Sequence, residues 1–408
     1  MAGPQIEGLA VPVDGSLPAD ALMNLQDRPL SFYVHVPYCS SRCGYCDFNT
    51  YTAEELGEGV TRASWRGTAL AEVDLAKAVL GQNAPKVSTI FVGGGTPTLL
   101  PAQDLVDVVQ RIQDLFGLQP DCEITTEANP DSVTFEQLVE LRKGGFTRIS
   151  FGMQSASSHV LNVLNRTHTP GKSLDAVAMA RQAGFEHINL DLIYGTPGES
   201  LLDLQQTLDA VATAEVDHVS AYALIVEDGT RLAADVKRGV IAHPDDDDMA
   251  DKYELIEKNL SALNMNWYEV SNWSRTGGEC RHNVHYWRSD NWWGIGPGAH
   301  SHINGVRWWN VKHPTAWTGK LSLSQSPGYA REILTAEDRY VEDVLLRMRL
   351  SEGMPVVELK NSAAVQRLLA DELIEYVPTN LSAQSNSHVA LTQRGRLLAD
   401  LVIHQLLD

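Results

Sequence analysis

The sequence is short of positive charge. It holds 32 Lys and Arg against 52 Asp and Glu in 408 residues, a formal net charge of −20. Such a surface repels phosphate backbones, and no local cluster of Lys and Arg offsets it, so no nucleic acid is expected as a partner. Long apolar runs are missing too. No stretch reaches the ~18 continuous apolar residues that a membrane-spanning helix needs. The opening residues lack the basic start and apolar core of a secretory signal. Cysteine is scarce and odd in number, five in all, a poor basis for a disulfide framework in a chain this long. These absences point to a reducing, cytoplasmic setting, where clustered cysteines serve metal or redox chemistry.

What is present is ordinary globular composition, 43% hydrophobic and 21% charged, with chain enough for two or three domains of ~150 residues. The one dense charge run, Asp245 to Asp248, reads as a solvated loop or helix start. From residue 31 onward, β-branched runs alternate with amphipathic stretches. Strands are expected at 32–36, 87–92, 122–126, 148–153, 187–193 and 218–224. Helical spacing between them is clearest at 103–116, where Leu105, Val108, Val109, Ile112 and Leu115 recur on one face. Residues 136–142 and 201–212 behave similarly. Strand and helix in turn at ~30-residue intervals predict βαβ units and a parallel sheet. Six units are too few for a closed eight-unit barrel and suit a partial (β/α)6 barrel.

The second half differs. Eight of nine tryptophans and five of thirteen histidines fall between Trp267 and Trp317, with little helical periodicity. Helical patterns return at 340–349, 356–376 and 393–407, with a hairpin expected from 376–378 and 388–391. The resulting division is a tail at 1–30, a barrel at 31–240, a Trp/His-rich extension at 241–334, and a small α+β, winged-helix-like domain at 335–408.

In such barrels chemistry gathers on the loops after the strands' carboxyl ends. The first of these loops carries Cys39, Cys43 and Cys46, a C-x3-C-x2-C pattern with Tyr45 before the last cysteine. Three thiolates can hold an iron–sulfur cluster and leave one iron open, whereas structural zinc wants a fourth ligand. His35, Cys122 or Cys280 could supply that fourth, so zinc stays as the alternative. The second strand ends in GGGTPT at 93–98, bare backbone that a carboxylate or ribose can approach, with no Lys for a phosphate loop. Glu127, Gln154 and Asp191 stand at later strand ends, and Arg166 follows the fourth.

This constellation resembles the radical S-adenosylmethionine superfamily. Within it, the strings resemble the family of oxygen-independent coproporphyrinogen III oxidases and their haem-chaperone relatives, over about residues 31–302 and more weakly beyond. The resemblance implies a 4Fe-4S cluster on Cys39, Cys43 and Cys46. It also implies S-adenosylmethionine bound near Tyr33, Tyr45, Gly94, Gly95, Thr96, Glu127, Gln154, Arg166 and Asp191.

Two departures favour the chaperone branch. Phe48 stands where the oxidases carry a fourth cysteine, and only 30 residues precede the first strand. A third sign is His282, Asn283, Tyr286 and Trp287, which fit that branch's H-N-x-x-Y-W motif. An imidazole and flat aromatic rings suit a haem, although the same aromatics could simply pack the barrel. The resemblance therefore implies binding of haem or porphyrin and transfer to an acceptor protein, such as a respiratory or membrane-associated one. A flavodoxin- or ferredoxin-like electron donor is implied if radical chemistry occurs. The alternatives are oxidative decarboxylation of coproporphyrinogen III and another radical enzyme, such as a tRNA-modifying one, which the −20 charge opposes.

Overall fold

The computed structural model describes residues 7–56, 62–166, 169, 171–378 and 387–408. Its strands begin with β1 (Leu9–Ala10), β2 (Leu30–Val36), β3 (Val87–Gly94), β4 (Leu118–Ala128), β5 (Arg148–Gln154), β6 (His187–Tyr194) and β7 (His218–Ala223). β2 to β7 lie side by side in chain order, each pair parallel. They are the six expected strands. Helices Arg62–Leu80, Ala102–Phe116, Phe135–Lys143, Lys172–Ala183 and Leu201–Ala214 make the crossovers. Thr134 with Gln137 and Ser200 with Asp203 form reciprocal caps that fix two of their starts.

Side chains alternate across each strand, and here the alternation sorts chemistry. One row is apolar and buried under the helices: Phe32, Val34, Ile90, Val92, Ile124, Ile149, Phe151, Leu190, Leu192 and Val219. Each such side chain contributes ~1.5–3 kcal/mol by leaving water. The other row faces the barrel interior and is mostly polar, as in Glu123, Thr125 and Glu127 of β4 or Asn189 and Asp191 of β6.

The Trp/His-rich stretch is less separate than its composition suggests. It supplies β8 (Asn266–Glu269), β9 (Asn272–Ser274), β10 (Asn291–Ile295), β11 (His300–Ile303), β12 (Val306–Asn310) and β13 (Gly328–Ile333). β9 pairs with β7 at one margin, while β10 runs parallel to β2 at the other and continues through β11, β12 and β13. One sheet of thirteen strands results. These runs are three to six residues long, too short for their period to stand out. The expected tail is docked as well. β1 pairs with β13, and Asn304 Nδ2 donates to the carbonyls of Ala21 and Met23. Residues 1–6 of that tail lie outside the described residues.

The C-terminal residues build β14 (Met354–Pro355), β15 (Ile374–Val377) and β16 (His388–Leu391), an antiparallel sheet with its own core around Val344, Met348, Leu368, Val389 and Val402. The expected hairpin is β15 with β16. The helical pattern at 356–376 is divided: Asn361 caps a helix at Ser362–Ala370, and Glu372, with φ 57°, turns the chain into β15. Among the described residues, no helix is long and apolar enough to cross a membrane.

Glu72 fastens the added margin to the barrel. Its buried carboxylate accepts from Gly296 N, Asn310 Nδ2 and Trp317 Nε1, each at 2.7 Å. Burial lifts its pKa to about 7. Removing the acceptor orphans the buried donors of Gly296 and Trp317, at about 1–3 kcal/mol each, while Asn310 Nδ2 keeps Gly296 O. Glu72→Ala is therefore expected to lower the urea midpoint sharply at an unchanged slope. An unmoved midpoint would contradict this attachment.

Candidate functional site

The loop after β2 is pinned at several points. Cys39 N donates to Tyr51 O, Gly44 N to Leu164 O, and Leu232 N to Gly44 O. Asn49 Nδ2 donates to Pro297 O and Lys312 O, tying the loop to the β10 side of the sheet. So held, Cys39, Cys43 and Cys46 line one pocket of about 420 Å3 at the strands' carboxyl ends. Tyr45, Gly94, Gly95, Thr96, Glu127, Gln154, Arg166 and Asp191 line it too. Eight of the nine residues expected around S-adenosylmethionine thus meet in one place; Tyr33 lies just outside it, in the adjoining groove.

Burial pushes the Cys46 thiol up to about 11 and raises Cys39 as well. At Cys39 the Arg166 cation acts against this rise, and Arg166 Nη1 lies 3.3 Å from Cys43 Sγ. Among the described residues no three His, Cys, Asp or Glu side chains are gathered about one point for a single ion. A cluster takes its thiolates at separate irons and does not require that gathering. Two of the three candidates for a fourth zinc ligand, His35 and Cys280, are engaged elsewhere. His35 has Tyr33 Oη at 2.9 Å from Nδ1 and Asn49 O at 2.9 Å from Nε2. Cys280 Sγ lies 3.6 Å from Glu123 Oε1, at the barrel's other end.

The glycines of GGGTPT have a steric reason. Gly94 has φ +110°, and a Cβ there would run into the His35 ring; one on Gly95 would strike Tyr38 O. The freed backbone reaches Glu127, whose Oε2 accepts from Gly94 N at 2.9 Å. Burial, then the charge of Asp191, raises Glu127 to about 8. Asp191 is raised by burial too, and it accepts from Ser150 Oγ and Asn189 Nδ2 at 2.7 Å each. Gln154 takes a left-handed φ of 63° beside the register shift between β5 and β6. A non-glycine held there stores strain at the pocket wall.

Below the pocket the barrel encloses a polar cavity of about 180 Å3. Its floor is the helix Arg281–Trp287, which carries the H-N-x-x-Y-W residues. Glu123 holds that helix start, accepting from Arg281 N and His282 N. His282 is buried, with Thr89 Oγ1 at 2.7 Å from Nδ1 and Tyr286 Oη at 2.9 Å from Nε2. Burial brings its pKa down to about 3, so the ring is neutral. Asn283 lines the same cavity, whereas Trp287 stands near Glu269 of β8 and works against the rise that burial gives that carboxyl group. Tyr286 alone of the four also lines a groove of about 560 Å3 between β2, β10, β11 and the helix Ala336–Arg347.

Sequence reading passed over Ser150, Asn189, Ser220 and Tyr222, which complete the polar interior. The signal was there, as polar residues at every second position of 148–150, 189–191 and 218–222.

A partial parallel barrel with this cysteine loop defines a radical S-adenosylmethionine protein, and the model of that superfamily matches residues 33–211. Membership implies a 4Fe-4S cluster and S-adenosylmethionine. A second model, the HemN C-terminal domain, matches residues 334–398. The chain is 49% identical over 388 residues to a protein of Mycobacterium tuberculosis named heme chaperone HemW, covering 95% of this chain and 97% of that one. Proteins of the same name from Bacillus subtilis and Escherichia coli are 30% and 31% identical, over 91% and 92% of this chain and 97% of each of theirs. The chain belongs to the heme chaperone HemW family. Its fold is similar to coproporphyrinogen III oxidase (HemN) of Escherichia coli, with TM-score 0.78 at 21% identity, over 95% of this chain and 92% of that one.

The close packing at Gly94 is testable. Gly94→Ala must displace the His35 ring and adopt a costly φ, about 1–3 kcal/mol of strain. It is expected to lower the melting temperature and abolish S-adenosylmethionine binding in equilibrium dialysis. Gly67→Ala, on the helix Arg62–Leu80 with open space around it, should do neither.

Proposed function

We propose that this chain is a haem chaperone: it carries a 4Fe-4S cluster and S-adenosylmethionine at the barrel mouth, binds one haem, and passes it to an acceptor protein. The observation that carries the reading is Phe48. It occupies the place of the oxidases' fourth cysteine, is 59% exposed, and borders both the thiol pocket and the groove. An apolar rim there suits a flat macrocycle, and the relatives' shared name supports the same reading.

Cys39, Cys43 and Cys46 would hold the cluster, and the donor set fits three-thiolate ligation with Arg166 balancing charge. When bound, the cluster supplies an open iron for the methionyl end of S-adenosylmethionine. The Gly94–Gly95 backbone leaves room for that end, and Glu127 receives its ammonium group. Tyr33, Tyr45, Thr96, Gln154 and Asp191 bound the rest of the ligand. His282, Asn283, Tyr286 and Trp287 would serve the haem side, the first two from within the barrel. In this reading residues 31–240 carry the cofactors, β10 to β13 form the haem side, the helix Ala336–Arg347 covers it, and residues 7–30 bind the margin. The acceptor would be a respiratory or membrane-associated protein, and a flavodoxin or ferredoxin the electron donor if the cluster is reduced.

Two measurements test this. Ferric haem titration of the reconstituted protein should saturate at one equivalent, and coproporphyrinogen III should not be converted to protoporphyrinogen IX. Turnover of that substrate would overturn the reading. For Glu127, an ammonium ligand requires the carboxylate, so binding expels its proton. Affinity for S-adenosylmethionine should climb with pH by up to about tenfold per unit below about 8, until the ligand's own ammonium group begins to lose its proton. Glu127→Gln should bind weakly with no such slope; a flat wild-type profile would contradict the assignment.

A further inference from the structure

We propose that the haem of this reading lies in the groove beside β10 and β11, with His300 as the ligand of its iron. The inference rests on the chaperone reading and adds the site.

Space decides first. The groove holds about 560 Å3, inside the ~300–1,000 Å3 usual for cofactor-sized ligands, whereas the cavity at His282 holds about 180 Å3. His282 would also have to give up both of its ring partners, Thr89 and Tyr286, to meet an iron.

Ring chemistry decides next. Three histidines line the groove: His35, His300 and His302. His35 is committed at both nitrogens. His302 has Asp290 O at 3.0 Å from Nδ1 and accepts from Gly305 N at Nε2. His300, the exposed first residue of β11, has no such partner at either nitrogen among the described residues. Its ring stacks on Trp309 at 5.7 Å and 23°, which fixes its plane without using a nitrogen. An oriented imidazole with a free lone pair is what haem iron takes.

The walls fit the rest of the macrocycle. Tyr286 and Trp292 meet edge to face at 4.7 Å, and Phe48 caps the rim. A cation for a propionate is at hand in Arg307, in a wall that also carries Glu127 and Glu342. Arg307 also pairs with Glu332 and Glu342, which a propionate would displace. Gly94 and Glu127 border both groove and thiol pocket, so a haem here would touch the S-adenosylmethionine region.

The test is ferric haem titration of the full reconstituted chain, comparing wild type, His300→Ala and His282→Ala. His300 is exposed, so its replacement should leave the melting temperature unchanged. His300→Ala is expected to lose the wild-type Soret position and bind haem at least roughly tenfold more weakly, the scale on which even outer-shell changes weaken metal sites. Added imidazole should restore the band. His300→Ala indistinguishable from wild type would overturn the groove assignment while leaving the chaperone reading intact. Wild type that takes up no haem would overturn the chaperone reading itself, and the assignment with it.

Discussion

Glu127 can stand inside the barrel only because the strands around it put their polar rows inward. A carboxyl group walled by apolar side chains stays protonated, and Glu127 is lifted to about 8 with Asp191 adding to the effect. Among the described residues its one hydrogen-bond donor is Gly94 N, and that approach exists because Gly93 and Gly94 end β3 and Gly95 follows. The rest of the site follows from this arrangement. Ser150 and Asn189 support Asp191, Arg166 brings a cation to the thiols, and the Glu123-anchored helix closes the floor. The barrel is prepared for a cationic ligand above and sealed below.

The helix at the floor gives the H-N-x-x-Y-W residues two directions. His282 and Asn283 face the interior, while Tyr286 spans interior and groove. A change at His282 therefore acts on the barrel as well as on anything bound outside it. Thr89 and Ser31 extend the same network to His285, with contacts of 2.7–2.9 Å.

Much of this was legible in the sequence. The six parallel strands declared themselves because each carries a β-branched run of ordinary length between amphipathic helices. The cysteine loop, the glycine triplet and the strand-end carboxylates were legible because they fall at fixed places in those units. What stayed hidden depends on distant pairing. Nothing local in Asn291–Ile295 reveals that it runs parallel to Leu30–Val36, some 260 residues away in sequence. The burial of His282 was hidden likewise, since its partners Thr89 and Glu123 belong to strands far upstream. The helix 356–376 failed for a local reason, a left-handed Glu372 that no helical pattern announces.

The central claim is that Cys39, Cys43 and Cys46 bind a cluster whose open iron faces the Glu127 pocket. Low-temperature electron paramagnetic resonance of the anaerobically reconstituted, dithionite-reduced chain tests it most directly, recorded with and without S-adenosylmethionine. The account predicts a 4Fe-4S signal whose g-values shift when the ligand is added, and no signal once the three cysteines are replaced by alanine. A protein that retains zinc and takes up no iron, or a cluster signal blind to S-adenosylmethionine, would contradict it.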